Sequence, residues 1–265
     1  MYLRATALGA VLALGIAGSA AAQDKPVHLK MGHWVPPAHP LQKAMEEWGK
    51  SVEKASNGTI TFQVYPAQQL GKAPDHYDMA RDGIADVTYI NPGYQPGRFP
   101  IIAAGELPFL MSNATGGSVA LDKWYRKYAA TEMKDVKFCL AFIHSPSSFH
   151  SRAKKIVVPD DVKGMKIRPA HATMASFVTL LGGTNVQASA PEAREVLERG
   201  VADAITFPWG SILLFKIDSV TKSCTPMLGK AHASVARLPP PGLMITPVAE
   251  PLPTTTKFAR TKHLY

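Results

Sequence analysis

An arginine at the end of a short strand-like segment is the side chain in this sequence best suited to chemistry. Arg168 directly follows the strand-like residues 165–167 and directly precedes a proline and a helical pattern. Its guanidinium carries parallel N–H donors that match both oxygens of a carboxylate, so it fixes orientation as well as charge. Two interpretations stay open: Arg168 binds an anion from outside the protein, or it forms a salt bridge with Asp160 or Asp161.

Metal and nucleophile chemistry have weaker support. Five histidines invite a metal site, but none of them has the H-x-x-x-H spacing that places two ligands on one helix face; they are His33, His39, His144, His150 and His171. Residues 147–150 place serines beside a histidine, but neither G-x-S-x-G nor another strand-to-helix elbow is present. We therefore expect no metal, no cofactor and no enzymatic activity.

An internal repeat supplies the elements that position Arg168. The repeated segments are RDGIADVTYINPG (81–93) and ERGVADAITFPWG (198–210), at a constant offset of 117 residues. Each has a helix end, a glycine, a small aliphatic residue, Ala-Asp and an apolar strand, in that order. A strand, a helix, a second strand and a second helix precede each final strand, so both halves are predicted to be β-α-β-α-β. The predicted helices span Leu41 to Ala55, Asp75 to Arg81, Ala172 to Leu181 and Pro191 to Arg199.

Helix-end signals support these elements. Ser189 and Glu192 have the spacing of a capping box, and Pro191 stands inside the first turn, where no amide donor is missed. A glycine follows each helical pattern, as expected where a left-handed residue ends a helix; these are Gly58, Gly83, Gly182 and Gly200.

The alternation of strands and helices predicts an α/β protein of two lobes, each a parallel or mixed sheet covered by helices. Ligands bind such sheets at the carboxyl ends of their strands. The residues at those predicted ends are the ligand-binding candidates: His33, Trp34, Asn91 and Tyr94 in the first half, and Arg168, Gln187, Phe207 and Trp209 in the second. Trp209 and Tyr94 together would give stacking space for an aromatic acid. A small dicarboxylate remains equally open.

The N-terminus has the pattern of a secretory signal. Arg4 precedes an apolar run from Ala5 to Ala17, and small residues ending at Ala22 give an A-x-A-type cleavage site. We expect residues 1–22 to be removed on export to a bacterial periplasm. No second apolar stretch of about 18 residues occurs, so no membrane insertion is expected after cleavage.

The net charge and the distribution of basic residues favour some classes of binding partner over others. The formal net charge of +9 suits an anionic ligand. Basic residues are scattered and no aromatic-interleaved RNA signature is present, which argues against nucleic acid. Cys139 and Cys224 are the two cysteines, and their spacing leaves open whether they form a disulfide.

Several segments, taken in order, resemble a known family. They are VYPAQQLG, MARDGIADVTYINPG, PIIAAGELPFL, VVPDDVKGMKIRP and LLGGTNVQASAPEAREVLERGVADAITFPWG. The ordered set is similar to the DctP-type periplasmic solute-binding proteins of tripartite ATP-independent periplasmic (TRAP) transporters, and the resemblance covers about Val27 to Thr221.

The resemblance implies a hinged, two-lobed binding protein of the type II-like class. It closes on the carboxylate of an organic anion and presents that ligand to a TRAP membrane permease. In this family the arginine that ends the K-[IV]-R strand clamps the carboxylate, and Arg168 occupies that position. Arg152 matches a second basic contact of the family. The implied lobes are residues 23–145 and 146–222.

The resemblance stops near Lys222, before the family's C-terminal helix. Residues 223–265 hold six prolines between Pro239 and Pro253 and show no helical or strand period, so they are predicted not to pack as ordered elements. The second lobe is then incomplete. The tail is either the result of a frameshift or a genuine divergent segment. For the function, the alternatives to a binding protein are a non-functional remnant of one and, third, a periplasmic hydrolase.

Overall fold

The computed structural model describes residues 25–226. Their strands form two separate sheets, one of three strands and one of five. The predicted signal peptide and the tail beyond residue 226 lie outside the described residues. Within residues 25–226, no helix combines the length and apolar character needed to cross a membrane.

The first lobe is built on a three-stranded parallel sheet in the order β2-β1-β3. Its strands are β1 (Val27–Gly32), β2 (Ile60–Tyr65) and β3 (Val87–Thr88). Its helices are α1 (Pro40–Ala55), α2 (His76–Arg81), α3 (Ala114–Tyr125) and α4 (Ala129–Glu132), with short 3-10 turns at Ala73–Asp75, Pro92–Tyr94 and Ile102–Glu106.

The second lobe is built on a five-stranded mixed sheet in the order β6-β5-β7-β4-β8. Its strands are β4 (Ser147–Ser151), β5 (Lys166–Arg168), β6 (Thr184–Asn185), β7 (Ala204–Pro208) and β8 (Ser223–Pro226). Its helices are α5 (Ala172–Leu180), α6 (Ala193–Glu198) and α7 (Trp209–Ile212), with 3-10 turns at Pro159–Val162, Ala190–Glu192 and Asp218–Val220. β4 runs antiparallel to the other four strands of this sheet.

The predicted repeat is confirmed by the strand register. Met31 of β1 pairs with Val87 of β3, and Ile167 of β5 pairs with Ala204 of β7, the residue that the 117-residue offset makes equivalent to Val87. The order β2-β1-β3 therefore recurs as β6-β5-β7. The second lobe adds β4 and β8 on the far side of β7.

The Ala-Asp pair of the repeat has the same physical role in both lobes. The alanine is fully buried in each case, as Ala85 and Ala202. The Asp86 carboxylate accepts the Lys30 amide of β1 at 2.7 Å, and the Asp203 carboxylate accepts the Lys166 amide of β5 at 2.9 Å. Each aspartate amide donates back to the same lysine's carbonyl. The motif therefore joins the start of β3 to β1 in the first lobe and the start of β7 to β5 in the second.

Helix ends follow the sequence signals closely. The predicted helices at Asp75 and Pro191 each begin with a 3-10 turn before the α-helix proper. The Glu192 carboxylate accepts both the amide and the hydroxyl of Ser189 at 2.7 Å, as the capping box requires. The four predicted helix-ending glycines all have positive φ, between 71° and 80°.

The predicted start of the atypical tail is too early by four residues. Ser223–Pro226 forms β8, which pairs antiparallel with β4 along the edge of the sheet. A four-residue edge strand has too few residues to show a period, and its proline stands last, where a missing amide donor is tolerated at an edge. Cys224 in this strand and the exposed Cys139 are free thiols.

The two lobes share one apolar cluster. Trp34, Val35 and Ala73 of the first lobe pack with Ala193, Leu197 and Phe207 of the second, among others. Two further clusters each lie within a single lobe, one around Tyr125 and one around Ile167. Because the shared cluster lies between the sheets, the lobes are in contact in this structure.

We expect Asp203→Ala to lower the free energy of unfolding by about 1–2 kcal/mol, because the Lys166 amide loses a charged hydrogen-bond acceptor. Chemical denaturation measures the loss. Asp160→Ala is the matched control, since Asp160 forms an exposed pair with Lys163 and such pairs contribute less than about 1 kcal/mol. Equal stability of the two variants would contradict the anchoring role.

Candidate functional site

Arg168 is the last residue of β5 and is fully buried, with 0% of its surface exposed. Its Nε donates to the Ala188 carbonyl at 2.8 Å. Neither Nη1 nor Nη2 has a hydrogen-bond partner among the residues that the structure describes. The guanidinium carbon lies 5.6 Å from the centre of the Phe207 ring. The two N–H groups best suited to a carboxylate are thus buried and unpaired.

The alternative salt bridge from Arg168 to Asp160 or Asp161 is not formed. Asp160 pairs with Lys163 at 3.0 Å. Asp161 accepts the amides of Val157 and Val158 at 2.7 and 3.0 Å. Both aspartates precede β5, whereas the Arg168 side chain leaves from its carboxyl end, so the strand separates them.

Burial lowers the pKa of the Arg168 guanidinium, and the nearby Tyr94 hydroxyl and Glu192 carboxylate partly oppose this shift. An arginine remains charged even so. Burying a charge without an opposite partner costs several kcal/mol. An anion that accepts both Nη groups would recover that cost.

Four residues form an aromatic wall in the first lobe, Trp34, Tyr89, Tyr94 and Phe142, and the Tyr94 hydroxyl lies near the Arg168 guanidinium. Trp34 stacks on Tyr89, with ring centres 5.0 Å apart and planes 22° apart. Tyr89 stacks in turn on Phe142 at 5.6 Å and 14°. Tyr94 tilts against Trp34 at 5.7 Å, and its hydroxyl accepts the Ala190 amide of the second lobe at 2.8 Å. The wall therefore reaches across to the lobe that holds Arg168.

A cavity of about 210 Å³ opens between the lobes, beside the segment that holds the Arg168 side chain. The first lobe supplies residues from two 3-10 turns, and the second supplies strand ends and the start of α6. The lining residues are Pro74, Gly93, Tyr94, Pro169, Ala170, His171, Gln187, Ala188, Ser189 and Glu192.

A close contact at Gly93 closes one side of this cleft. A β-carbon at Gly93 would overlap the His171 β-carbon and lie 2.6 Å from Glu106 Oε1. Glu106 Oε2 accepts the Thr173 hydroxyl at 3.0 Å and lies 3.1 Å from His171 Nδ1. Glu106 and Gly93 belong to the first lobe, and His171 and Thr173 to the second. Only a glycine lets the lobes approach this closely.

Most of the predicted ligand-binding residues lie together. Trp34, Tyr94, Phe207 and Arg168 meet between the lobes, and Gln187 lines the cavity. Trp209 lies beside His150 at the cleft end of β7, and its indole N–H is buried without a partner among the described residues.

Two predicted ligand-binding residues, Asn91 and His33, form hydrogen bonds within the first lobe. The Asn91 side chain accepts the Gly93 amide at 3.0 Å and so caps a 3-10 turn. His33 is fully buried, and its Nε2 bonds to Gln42 on α1. Burial lowers the pKa of His33. The two side chains support the first lobe's strand ends.

The prediction that Arg152 contacts ligand conflicts with its position. Arg152 follows Ser151, which pairs with Ala204 at the amino end of β7. Its guanidinium lies beside Gly200, with Nη1 2.6 Å from where a β-carbon would stand. Since β4 runs antiparallel to β7, its last residue lies at the edge of the sheet away from the cleft.

Tyr89 and Phe142 were missed from the sequence, and His150 was considered there only as a metal ligand or a catalytic base. Tyr89 directly follows β3, two positions nearer the strand than Asn91, so the strand-end argument applied two residues earlier would have found it. Phe142 lies outside the repeat. His150 is in β4, and burial lowers its pKa to about 4.

Residues 31–227 match the family model described as bacterial extracellular solute-binding protein, family 7 (DctP). The chain belongs to this family. The match includes β8 and ends at residue 227, close to the expected end near Lys222.

Among DctP-family relatives, a solute-binding protein of Albidiferax ferrireducens is 26% identical over 188 residues, covering 69% of this chain and 54% of the relative. The chain thus spans about half the length of that relative.

Two solved structures are more similar. A marine metagenome TRAP solute-binding protein specific for aromatic acid ligands, in complex with 3-hydroxybenzoate, is 35% identical with a TM-score of 0.71, and the match covers 76% of this chain and 63% of that one. A TRAP solute-binding protein from Rhodoferax ferrireducens, with benzoate bound, is 34% identical with a TM-score of 0.70, covering 74% and 62%.

We expect Gly93→Ala to hold the lobes apart, because the added methyl group overlaps His171 across the cleft. Small-angle X-ray scattering should then give a larger radius of gyration than for the unaltered protein. Gly210→Ala is the matched control. Gly210 is the repeat equivalent of Gly93, and a β-carbon there meets nothing within 4 Å. An unchanged radius for Gly93→Ala would rule out this contact as a limit on closure.

Proposed function

We propose that this chain is a periplasmic solute-binding protein that captures an aromatic carboxylate between its two lobes. The observation that carries the proposal is Arg168, whose buried Nη1 and Nη2 lack partners among the described residues. A carboxylate bound there accepts both N–H groups in parallel, which is the geometry that a guanidinium provides.

The aromatic wall favours an aromatic acid over a small dicarboxylate. Tyr94 lines the cavity and Trp34 packs beside it, so a ligand ring in the cleft would meet an aromatic side chain, and such pairs contribute beyond their buried area. A dicarboxylate needs a second cation, and the other predicted arginine, Arg152, lies at the far edge of the sheet. The ligands named for the two similar structures, 3-hydroxybenzoate and benzoate, support the same choice.

Binding is proposed here in place of catalysis. Ser148 and His150 are both buried in β4. The His150 Nε2 donates to the Phe207 carbonyl at 2.9 Å and does not contact the serine. A hydrolase needs a base that takes the proton of its nucleophile, so this pair gives the hydrolase hypothesis no support.

Titration calorimetry of the purified protein with benzoate, succinate and glucuronate tests the proposal. We expect benzoate to bind and to raise the melting temperature, since a ligand that binds only the native state stabilises it. Arg168→Met should weaken benzoate binding by about 30- to 4,000-fold, corresponding to roughly 2–5 kcal/mol. Arg168→Lys should restore only part of the loss, because it keeps the charge but not the paired donors.

The ligand-free protein separates a binding arginine from a structural one. Replacing an unpaired buried charge with an apolar side chain of similar size is neutral or stabilising. The melting temperature of ligand-free Arg168→Met should therefore not fall. Arg152→Met is the control and should bind benzoate as the unaltered protein does. Unaltered benzoate affinity in Arg168→Met, or no acid bound by the folded protein, would overturn the proposal.

The proposal includes delivery of the bound acid to a TRAP-type membrane permease, the role implied by membership of the DctP family. We expect proteoliposomes that contain the permease to take up labelled benzoate only when this protein is present outside. Arg168→Met protein should not support uptake. Equal uptake with and without the protein would exclude the delivery role.

A further inference from the structure

His150 stands on the same face of the second lobe's sheet as Arg168. Both residues pair with Ile205 of β7, Arg168 from β5 on one side and His150 from β4 on the other. Two strand spacings of about 4.8 Å place their α-carbons roughly 10 Å apart. The Ile205 side chain stands between them on this face, so a ligand of one ring that reaches both residues would lie over it.

The tautomer of His150 is fixed by its surroundings. Its Nε2 lies 2.9 Å from the Phe207 carbonyl, which can only accept, so Nε2 carries the proton. Nδ1 is then a bare acceptor, and it is buried without a partner among the described residues. Because burial lowers the His150 pKa to about 4, the ring stays neutral at neutral pH and Nδ1 keeps its lone pair.

Trp209 supplies the complementary group. Its Nε1–H is a donor only, and it is also buried without a partner in the described part of the chain. The Trp209 and His150 rings are 5.0 Å apart and nearly perpendicular. An unpaired acceptor and an unpaired donor therefore belong to two rings that are in contact at the carboxyl end of β7. Each is costly to leave buried and unsatisfied.

We propose that His150 and Trp209 form a hydroxyl-recognition subsite, which binds the ring hydroxyl of an aromatic acid whose carboxylate is held by Arg168. The inference rests on the proposed function and names the substrate class more narrowly. A hydroxyl group is both donor and acceptor. Its O–H donates to His150 Nδ1 while its oxygen accepts from Trp209 Nε1–H, so one group satisfies both atoms.

Other substituents leave one of the two atoms unsatisfied. A methyl group pairs with neither. A second carboxylate accepts from Trp209 but places its lone pairs against those of Nδ1. A site built to hydrogen-bond a hydroxyl discriminates strongly against an analogue that lacks it, because buried polar groups then stay unpaired.

Calorimetric titration with matched acids tests the subsite on the full chain. The ligands are benzoate, 3- and 4-hydroxybenzoate, and the 3- and 4-methylbenzoates of similar size. We expect at least one hydroxybenzoate to bind about 10-fold or more tightly than the methylbenzoate with the same substitution pattern. In Trp209→Phe this ratio should fall close to one, and His150→Phe should give the same loss if it folds.

Trp124→Phe is the control variant, because Trp124 lies on α3 of the first lobe beside Tyr128. It should keep the ratio of the unaltered protein. The subsite is wrong if the unaltered protein shows no hydroxyl preference, as expected if water bridges the pair, or if Trp209→Phe keeps the preference. Benzoate binding through Arg168 without a hydroxyl preference would overturn the subsite alone. Failure of every aromatic acid to bind would overturn the proposed function as well.

Discussion

The free energy of burying the Arg168 guanidinium is the constraint on which the cleft depends. Arg168 carries a permanent charge that is buried away from water, and among residues 25–226 its one hydrogen bond runs from Nε to the Ala188 carbonyl. Phe207 and Tyr94 beside it are uncharged, and the Glu192 carboxylate offsets the effect of burial only in part. A pocket of this kind is matched to a group of opposite charge and poorly matched to water.

The rest of the second lobe holds that arginine at a fixed place. Asp203 ties the amide of Lys166 to the start of β7, and Arg168 follows two residues later at the strand's end. The hydrogen bonds between Ser189 and Glu192 fix the turn that follows Ala188. The Ala188 carbonyl is the group that accepts from Arg168 Nε. The position of the Arg168 guanidinium is thus set by hydrogen bonds that fix the neighbouring backbone, which is how a rigid scaffold orients a binding residue.

The sequence predicts those features that depend on local geometry. The repeat, the helix caps and the strand end at Arg168 follow from short-range rules, and the structure agrees with them. Arg152 was misplaced because the direction of β4 depends on its pairing with β7, and no pattern within β4 records that direction. Strand β8 depends on its neighbour in the same way. Tyr89, Phe142 and His150 join the site through packing between distant segments, which spacing along the chain does not encode.

The two lobes are built on equivalent sheets but differ at one corresponding residue. Gly32 in β1 occupies the position of Arg168 in β5, since their partners Thr88 and Ile205 are equivalent in the repeat. In the first lobe that space is filled by Leu70 and Met79. The cleft therefore has one cationic side and one aromatic side, although its framework is nearly symmetric. A molecule with a charged end and an apolar end would fit such a cleft in a single orientation.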